Sequence, residues 1–205
     1  MDSDSSGKNP LPVKLSTVAL WLLLIALTIS NLLLLRQNMK MRAALTPPKL
    51  ETLHAGDRVQ PFMAEDLRGG KIDVSYNGTG AKRVLLYFTP TCPFCRQQFA
   101  YWHEVFVRAD RERFEVLGVV SDKEDKEKME DYLRQFGCAA DSQTPLRAAL
   151  VPDDVRCNYK LMATPITLIV NNNGTVDKAW SGRWSGEEMA KAGETFGVSF
   201  SVAAR

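Results

Sequence analysis

Residues 84–95 read Val84-Leu85-Leu86-Tyr87-Phe88-Thr89-Pro90-Thr91-Cys92-Pro93-Phe94-Cys95. Arg83–Phe88 is a short apolar run, the pattern of a strand buried on both faces. A helix follows from Cys92 to about Ala109, with Cys95, Phe99, Trp102 and Phe106 on one side at offsets of four, seven and eleven from Cys95. The two cysteines therefore sit where a buried strand hands over to a helix. Unpaired N–H groups and the helix dipole favour a thiolate at Cys92, and the thiolate is the nucleophile of disulfide exchange. Cys95 lies one turn on, within reach of Cys92, to resolve a mixed disulfide. Pro93 suits the first helical position because no N–H is lost there.

Downstream, Phe114–Val120 reads as the next buried strand. Ser121 or Asp122 is the expected cap of a helix that gathers Met129, Tyr132, Leu133 and Phe136 and stops at Gly137. The charge run Lys123–Asp131 is a solvated helix face, with Glu124 and Lys128 at i,i+4 spacing. Residues 141–154 read as irregular. Ile166–Val170 is a strand, the turn Asn171–Gly174 follows, and Thr175–Trp180 returns as its hairpin partner. Gly186–Phe196 is the last helix, with Met189, Gly193 and Phe196 on one side. Upstream, Val59–Leu67 and Lys71–Tyr76 flank Arg68-Gly69-Gly70 as another hairpin. Crossover connections need parallel pairing and hairpins antiparallel pairing, so the pattern predicts an α/β sandwich with a mixed central sheet.

The N-terminal side is different in kind. From Leu15 to Leu35 no residue is charged. As a helix these positions span about 31 Å, close to the hydrocarbon thickness of a bilayer. The run is apolar on all sides, unlike a core helix of a soluble domain. It is too long for a signal h-region, and Arg36, Lys40 and Arg42 follow it rather than a small-residue cleavage site. The expected organisation is a polar tail at 1–14, a transmembrane helix at 15–35, a juxtamembrane linker at 36–55 that Pro47 and Pro48 keep from being helical throughout, and one domain at 56–205. Lys8 and Lys14 precede the span, while Arg36, Lys40, Arg42 and Lys49 follow it. By the positive-inside rule alone the domain would stay in the cytoplasm, but large domains translocate largely regardless of such charges.

Charge excludes one class of partner. Lys and Arg number 26 against 24 Asp and Glu, a formal net charge of +2, so nothing marks a nucleic-acid surface. A zinc site needs a second close pair of ligands, whereas Cys138 and Cys157 are 19 positions apart and His54 and His103 are isolated. A structural disulfide or two core cysteines would not require the strand–helix junction. No motif in the chain requires a cofactor.

These pieces together resemble the membrane-anchored thioredoxin-like oxidoreductases of the TlpA/ResA kind, close to the redoxin and AhpC/TSA group. The matching residues are Gly56-Asp57 with Pro61-Phe62, the strand Val84–Phe88 entering Cys92-Pro93-Phe94-Cys95, the string Ala163-Thr164-Pro165-Ile166-Thr167-Leu168-Ile169, the Asn173-Gly174 turn and Gly182. About 140 residues are covered. The resemblance implies a thioredoxin-like fold, Cys92 and Cys95 as the redox pair, and a cis Thr164-Pro165 peptide facing them, with Thr164 offering its backbone to an extended client chain.

Departures from the family pattern are specific. Thr91 stands where thioredoxins carry Trp. Leu86 replaces their buried acid, and Gln98 replaces the Glu of ResA-like reductases. Both carboxylates that would move protons to the resolving thiol are thus absent. Thr89-Pro90-Thr91-Cys92-Pro93 is instead similar to the MauD-like branch. Two other functions compete. A peroxiredoxin places a Thr three residues before its reactive Cys, as Thr89 is here, but also a Pro where this chain has Leu85. A Cu(I)-handling module would use the vicinal thiolates.

The expectation is a thiol–disulfide oxidoreductase held in the membrane by lipid contact with its N-terminal helix, acting on protein thiol and disulfide clients on the extracytoplasmic, periplasmic side. Cys138 and Cys157 either form a second disulfide, which would mark an oxidising compartment, or remain two buried thiols.

Overall fold

The computed structural model describes residues 13–45, 51–77, 80–143 and 145–200, the side chains of 13–16 and 42–45 excepted. The expected polar tail, apart from its last two positions, and Pro47, Pro48 and Lys49 lie outside the described residues. The chain separates into two compact units, Met1–Lys49 and Leu50–Arg205.

Among the described residues the first unit is a single helix, α1 (Val13–Leu45), about 50 Å long at 1.5 Å per residue. It runs past the uncharged stretch at both ends. Within it, Thr17–Met41 is long and apolar enough to cross a membrane. Its leucines, isoleucines and Trp21 are exposed all round the helix.

The second unit is built on a seven-stranded sheet in the order β2-β1-β5-β4-β3-β6-β7. The strands are β1 (Phe62–Asp66), β2 (Lys71–Val74), β3 (Lys82–Tyr87), β4 (Phe114–Ser121), β5 (Ala148–Val151), β6 (Ile166–Val170) and β7 (Val176–Ser181). β3, β4 and β5 run parallel, and β1–β2, β1–β5, β3–β6 and β6–β7 pair antiparallel. The mixed sheet and both expected hairpins are therefore present. Gly174 makes the second hairpin's turn at φ 77°, where a Cβ would come within 2.9 Å of the Val59 carbonyl oxygen.

Helices α2 (Pro93–Arg108) and α3 (Lys126–Gln135) carry the chain from β3 to β4 and from β4 to β5. Both crossovers join parallel strands in the same direction across the sheet. Right-handedness then places both helices on one face. α5 (Gly186–Phe196) joins them there, and Phe88, Phe99, Trp102, Tyr132, Trp184 and Phe196 form that face's core. α4 (Asp153–Asn158) brings the chain back to β6 over the other face, whose core includes Leu85, Tyr87, Val119, Val155, Tyr159 and Leu168. Arg156 of α4 donates through Nε to the Tyr87 hydroxyl at 3.0 Å and pairs with Asp153 at 2.7 Å. That fixes α4 against β3, just ahead of the segment that carries Thr164.

Two expectations are corrected. Residues 141–154 are not irregular throughout, because Ala148–Val151 forms β5, buried at every position, and α4 begins at Asp153. The cap of α3 is neither Ser121 nor Asp122. β4 continues through Ser121, and the Asp122 N–H bonds to the Val151 carbonyl at 3.0 Å, prolonging the strand pairing. Asp125 is the cap instead, its carboxylate accepting from the N–H groups of Glu127 and Lys128 at 3.0 and 3.1 Å. Glu124 thus precedes the helix and forms no i,i+4 pair within it.

Candidate active site

β3 is the point at which the connections diverge, one neighbour reached through α2 and the other lying antiparallel. A cleft at the carboxyl end of such a strand is the usual position for a reactive site in an open α/β sheet. Cys92 stands there as the N-cap of α2, in extended conformation, with Pro93 opening the helix. Its Sγ accepts from the Cys95 N–H at 3.3 Å. It also lies 3.6 Å from the Thr164 carbonyl oxygen, to which the protonated thiol donates. The sulfur is half-buried. Burial opposes its ionisation, but side-chain hydrogen bonding with Cys95 and Thr164 and the N–H groups of Cys95 and Phe94 outweigh burial and bring Cys92 below the ordinary thiol value of 9.0.

Cys95 is its opposite in both respects. It is fully buried against Phe99 and Trp102, and burial first, then the hydrogen bond with Cys92, pushes it up to about 12. Such a pair splits the two tasks of disulfide exchange. One thiol is accessible and readily ionised, and the other is shielded and stays protonated until its neighbour reacts.

The Thr164-Pro165 peptide is cis, with Pro165 buried and Thr164 partly exposed. Behind it, Trp102 of α2 donates through Nε1 to Thr167 Oγ1 of β6 at 2.9 Å, a buried bond that ties the cysteine helix to the strand after Pro165. Cys92, Cys95, Thr164 and Pro165 are thus gathered at one place. Thr89 is close as well, but its hydroxyl pairs with that of Thr91 at 3.0 Å.

Trp184 next to this site was not expected from the sequence. Gln98, one turn after Cys95, is fully buried, and its Oε1 accepts from the Trp184 N–H at 2.9 Å. A buried amide at this position satisfies a loop N–H without adding charge. On the other flank Tyr132 of α3 packs on Phe88 and Phe99, and its hydroxyl is raised by burial first and then by the neighbouring Cys95. Trp184 belongs to a turn with no periodic pattern; its one sequence signal is its size beside the last helix.

Cys138 and Cys157 are not brought together. Cys138 is buried in the core beneath α2, α3 and α5, whereas Cys157 is exposed on α4 across the sheet, and both thiols are free. The expected bridge is excluded because the sheet lies between the two layers, and the pair is not two buried thiols either. His54 is exposed ahead of β1, and His103 sits mid-way along α2 with its ring nearly perpendicular to that of Phe106. Among the described residues no group of three or more His, Cys, Asp or Glu converges as a metal site would require.

An accessible, acidified thiol on a helix cap, a buried partner one turn on and a cis-proline opposite, all on this sheet order, define the class of thioredoxin-fold proteins with a CxxC dithiol. Within that class the chain belongs to the AhpC/TSA family, whose model matches residues 55–179. A search of curated protein sequences gives no match. Solved structures resemble it in fold. The thioredoxin domain of a thiol-disulfide oxidoreductase from Bacteroides vulgatus has a TM-score of 0.55 at 17% identity, covering 71% of this chain and 99% of that one. A pneumococcal exposed lipoprotein thioredoxin from Streptococcus pneumoniae has a TM-score of 0.52 at 17% identity, covering 66% and 98%. A thio-disulfide isomerase from Thermus thermophilus has a TM-score of 0.51 at 18% identity, covering 72% and 100%.

Proposed function

We propose that this protein is a membrane-anchored thiol–disulfide oxidoreductase acting through Cys92 and Cys95 on protein clients outside the cytoplasm. The observation that carries the reading is the asymmetry of the pair, Cys92 half-exposed and lowered, Cys95 fully buried and raised to about 12. In the reductive direction the Cys92 thiolate attacks one sulfur of a client disulfide. A mixed disulfide forms and the client's other sulfur leaves as thiolate. Cys95 then loses its proton and attacks Cys92 Sγ. The Cys92–Cys95 bond forms, the mixed disulfide breaks, and the client has gained two electrons and two protons. Run in reverse, the same steps oxidise a client dithiol. Thr164, whose carbonyl already faces Cys92, is the backbone position beside which the client chain would lie.

α1 supports anchoring, being exposed, apolar and long enough to cross a bilayer. An extracytoplasmic domain suits a dithiol that must meet disulfides. No cofactor has a part in these steps.

A peroxide-reducing function is the second reading, favoured by the family match and by Thr89 three residues before Cys92. The Thr89 hydroxyl is engaged with Thr91, which supports disulfide exchange over it. A Cu(I)-handling function has the two thiols but no third ligand gathered near them among the described residues. The reduced full-length chain in detergent, mixed with either a disulfide-bonded peptide or hydrogen peroxide, separates these readings. Fast appearance of peptide thiols with slow peroxide consumption is expected. Fast peroxide consumption with inert peptide would overturn the proposal, as would tight Cu(I) binding without exchange.

A further inference from the structure

α1 carries five polar side chains inside its uncharged stretch, Ser16, Thr17, Thr28, Ser30 and Asn31, and Asn31 is the one carboxamide among them. Thr28 turns its hydroxyl back onto its own backbone, bonding to the carbonyls of Leu24 and Ile25. Its one donor is thereby satisfied. Asn31 donates from Nδ2 to the Leu27 carbonyl at 3.1 Å. A carboxamide has two N–H groups and an oxygen with two lone pairs, so that bond uses one donor and leaves the oxygen and the second N–H outward. Asn31 lies about 6 Å before Leu35, the last residue of the uncharged run, and so falls within the hydrocarbon layer if α1 spans it. There water cannot satisfy it, and an unpaired amide is costly.

Asn31 shares one stretch of the helix surface with Leu34, Leu35, Asn38 and Met39. Positions 31, 34, 35 and 38 are spaced three, four and seven apart and form one face. Leu24 and Thr28 continue it toward the N-terminus at alternating steps of four and three, the seam of a left-handed helix pair. Arg36 and Lys40 fall about 140° and 180° round the helix from Asn31, clear of the seam.

We propose that α1 pairs with α1 of a second copy of this chain, Asn31 against Asn31. The inference rests on the reading of α1 as a membrane anchor. Copies of a single-pass chain insert in the same direction, so paired helices are parallel and Asn31 meets Asn31 at the same depth. A carboxamide is its own complement. Across a two-fold axis each outward N–H donates to the partner's oxygen, and the two contacts are equivalent. The small Thr28 side chain, folded onto its own backbone, lets the helices approach beside that contact.

The test uses the full-length chain, labelled with donor or acceptor dye at its N-terminal amine, in lipid vesicles under reducing conditions so that no intermolecular disulfide contributes. Energy transfer above the value for random proximity is expected. Asn31→Leu should weaken association about tenfold. Asn31→Gln should retain it, and Leu33→Ala on the opposite side should leave it unchanged. Energy transfer at the random value in the native chain, or Asn31→Leu pairing as well as the native chain does, would overturn the proposal. Release of the chain from vesicles by alkaline carbonate would show instead that the anchor reading itself has failed. Retention of the chain with random transfer would remove the pairing alone.

Discussion

Cys92 and Cys95 differ by little in chemistry and by a great deal in surroundings. At pH 8, limited alkylation with iodoacetamide followed by peptide mapping is predicted to label Cys92 and the exposed Cys157, with Cys95 and Cys138 protected. Label on Cys95 equal to that on Cys92 would contradict the assignment. The same burial has a thermodynamic sign. Cys95 holds its proton more tightly folded than unfolded, so its contribution to stability is full below about pH 9 and declines as pH rises toward 12. Urea unfolding of the native chain and of Cys95→Ser should therefore converge, or reverse in order, over that range. Gln98 provides a second residue-scale check. Gln98→Glu places a carboxylate in a fully buried site with one backbone donor, the Trp184 N–H. Burial raises that carboxyl, so the variant should lose about 1–3 kcal/mol at pH 7 and recover as pH falls toward the ordinary carboxylate value. Stability equal to the native chain at pH 7 would show that the site is wetter than its burial implies.

The sequence was readable in its elements where side-chain period and turn chemistry agreed. The cysteine helix, both hairpins and α5 follow from that agreement, and α5 ends where Gly197 takes φ 68°. β5 escaped because Ala148–Val151 is four residues, two of them alanine, buried on both faces, and so shows neither alternation nor β-branched enrichment. α4 is six residues, too short for a helical period to repeat. Ser121 and Asp122 end the strand before α3, where they resemble a cap in sequence but complete strand pairing and its turn, and the cap falls at Asp125. Asp125→Ala should cost about 1 kcal/mol, since the lost carboxylate leaves two N–H groups without their bonds. Gly118 of β4 yields a stronger prediction. A Cβ there would lie 3.1 Å from the fully buried Phe88 ring and 3.2 Å from the Arg147 carbonyl oxygen. Gly118→Ala should destabilise the protein by about 1–3 kcal/mol in urea titration, because neither neighbour has room to yield. An unchanged midpoint would contradict that packing.

At the scale of the whole molecule, the positions of Cys92, Cys95, Thr164 and Pro165 were legible because each belongs to a motif fixed at a strand end. The fate of Cys138 and Cys157 was not, since sequence spacing says nothing of which face of a sheet a residue takes. Orientation in the membrane is argued from chemistry rather than from flanking charge. A membrane-impermeant maleimide added to intact cells should modify Cys157, and protection until lysis would place the domain on the cytoplasmic side. In the proposed function Cys92 exchanges disulfides with protein clients and Cys95 resolves them. Cys95→Ser removes the resolving thiol and leaves the attacking one, so a client should remain bound. Membranes carrying this variant, run on non-reducing gels, are predicted to show a higher-mass adduct that dithiothreitol releases and that the double variant Cys92→Ser, Cys95→Ser lacks. The absence of any such adduct, or its persistence without Cys92, would rule out disulfide exchange at Cys92.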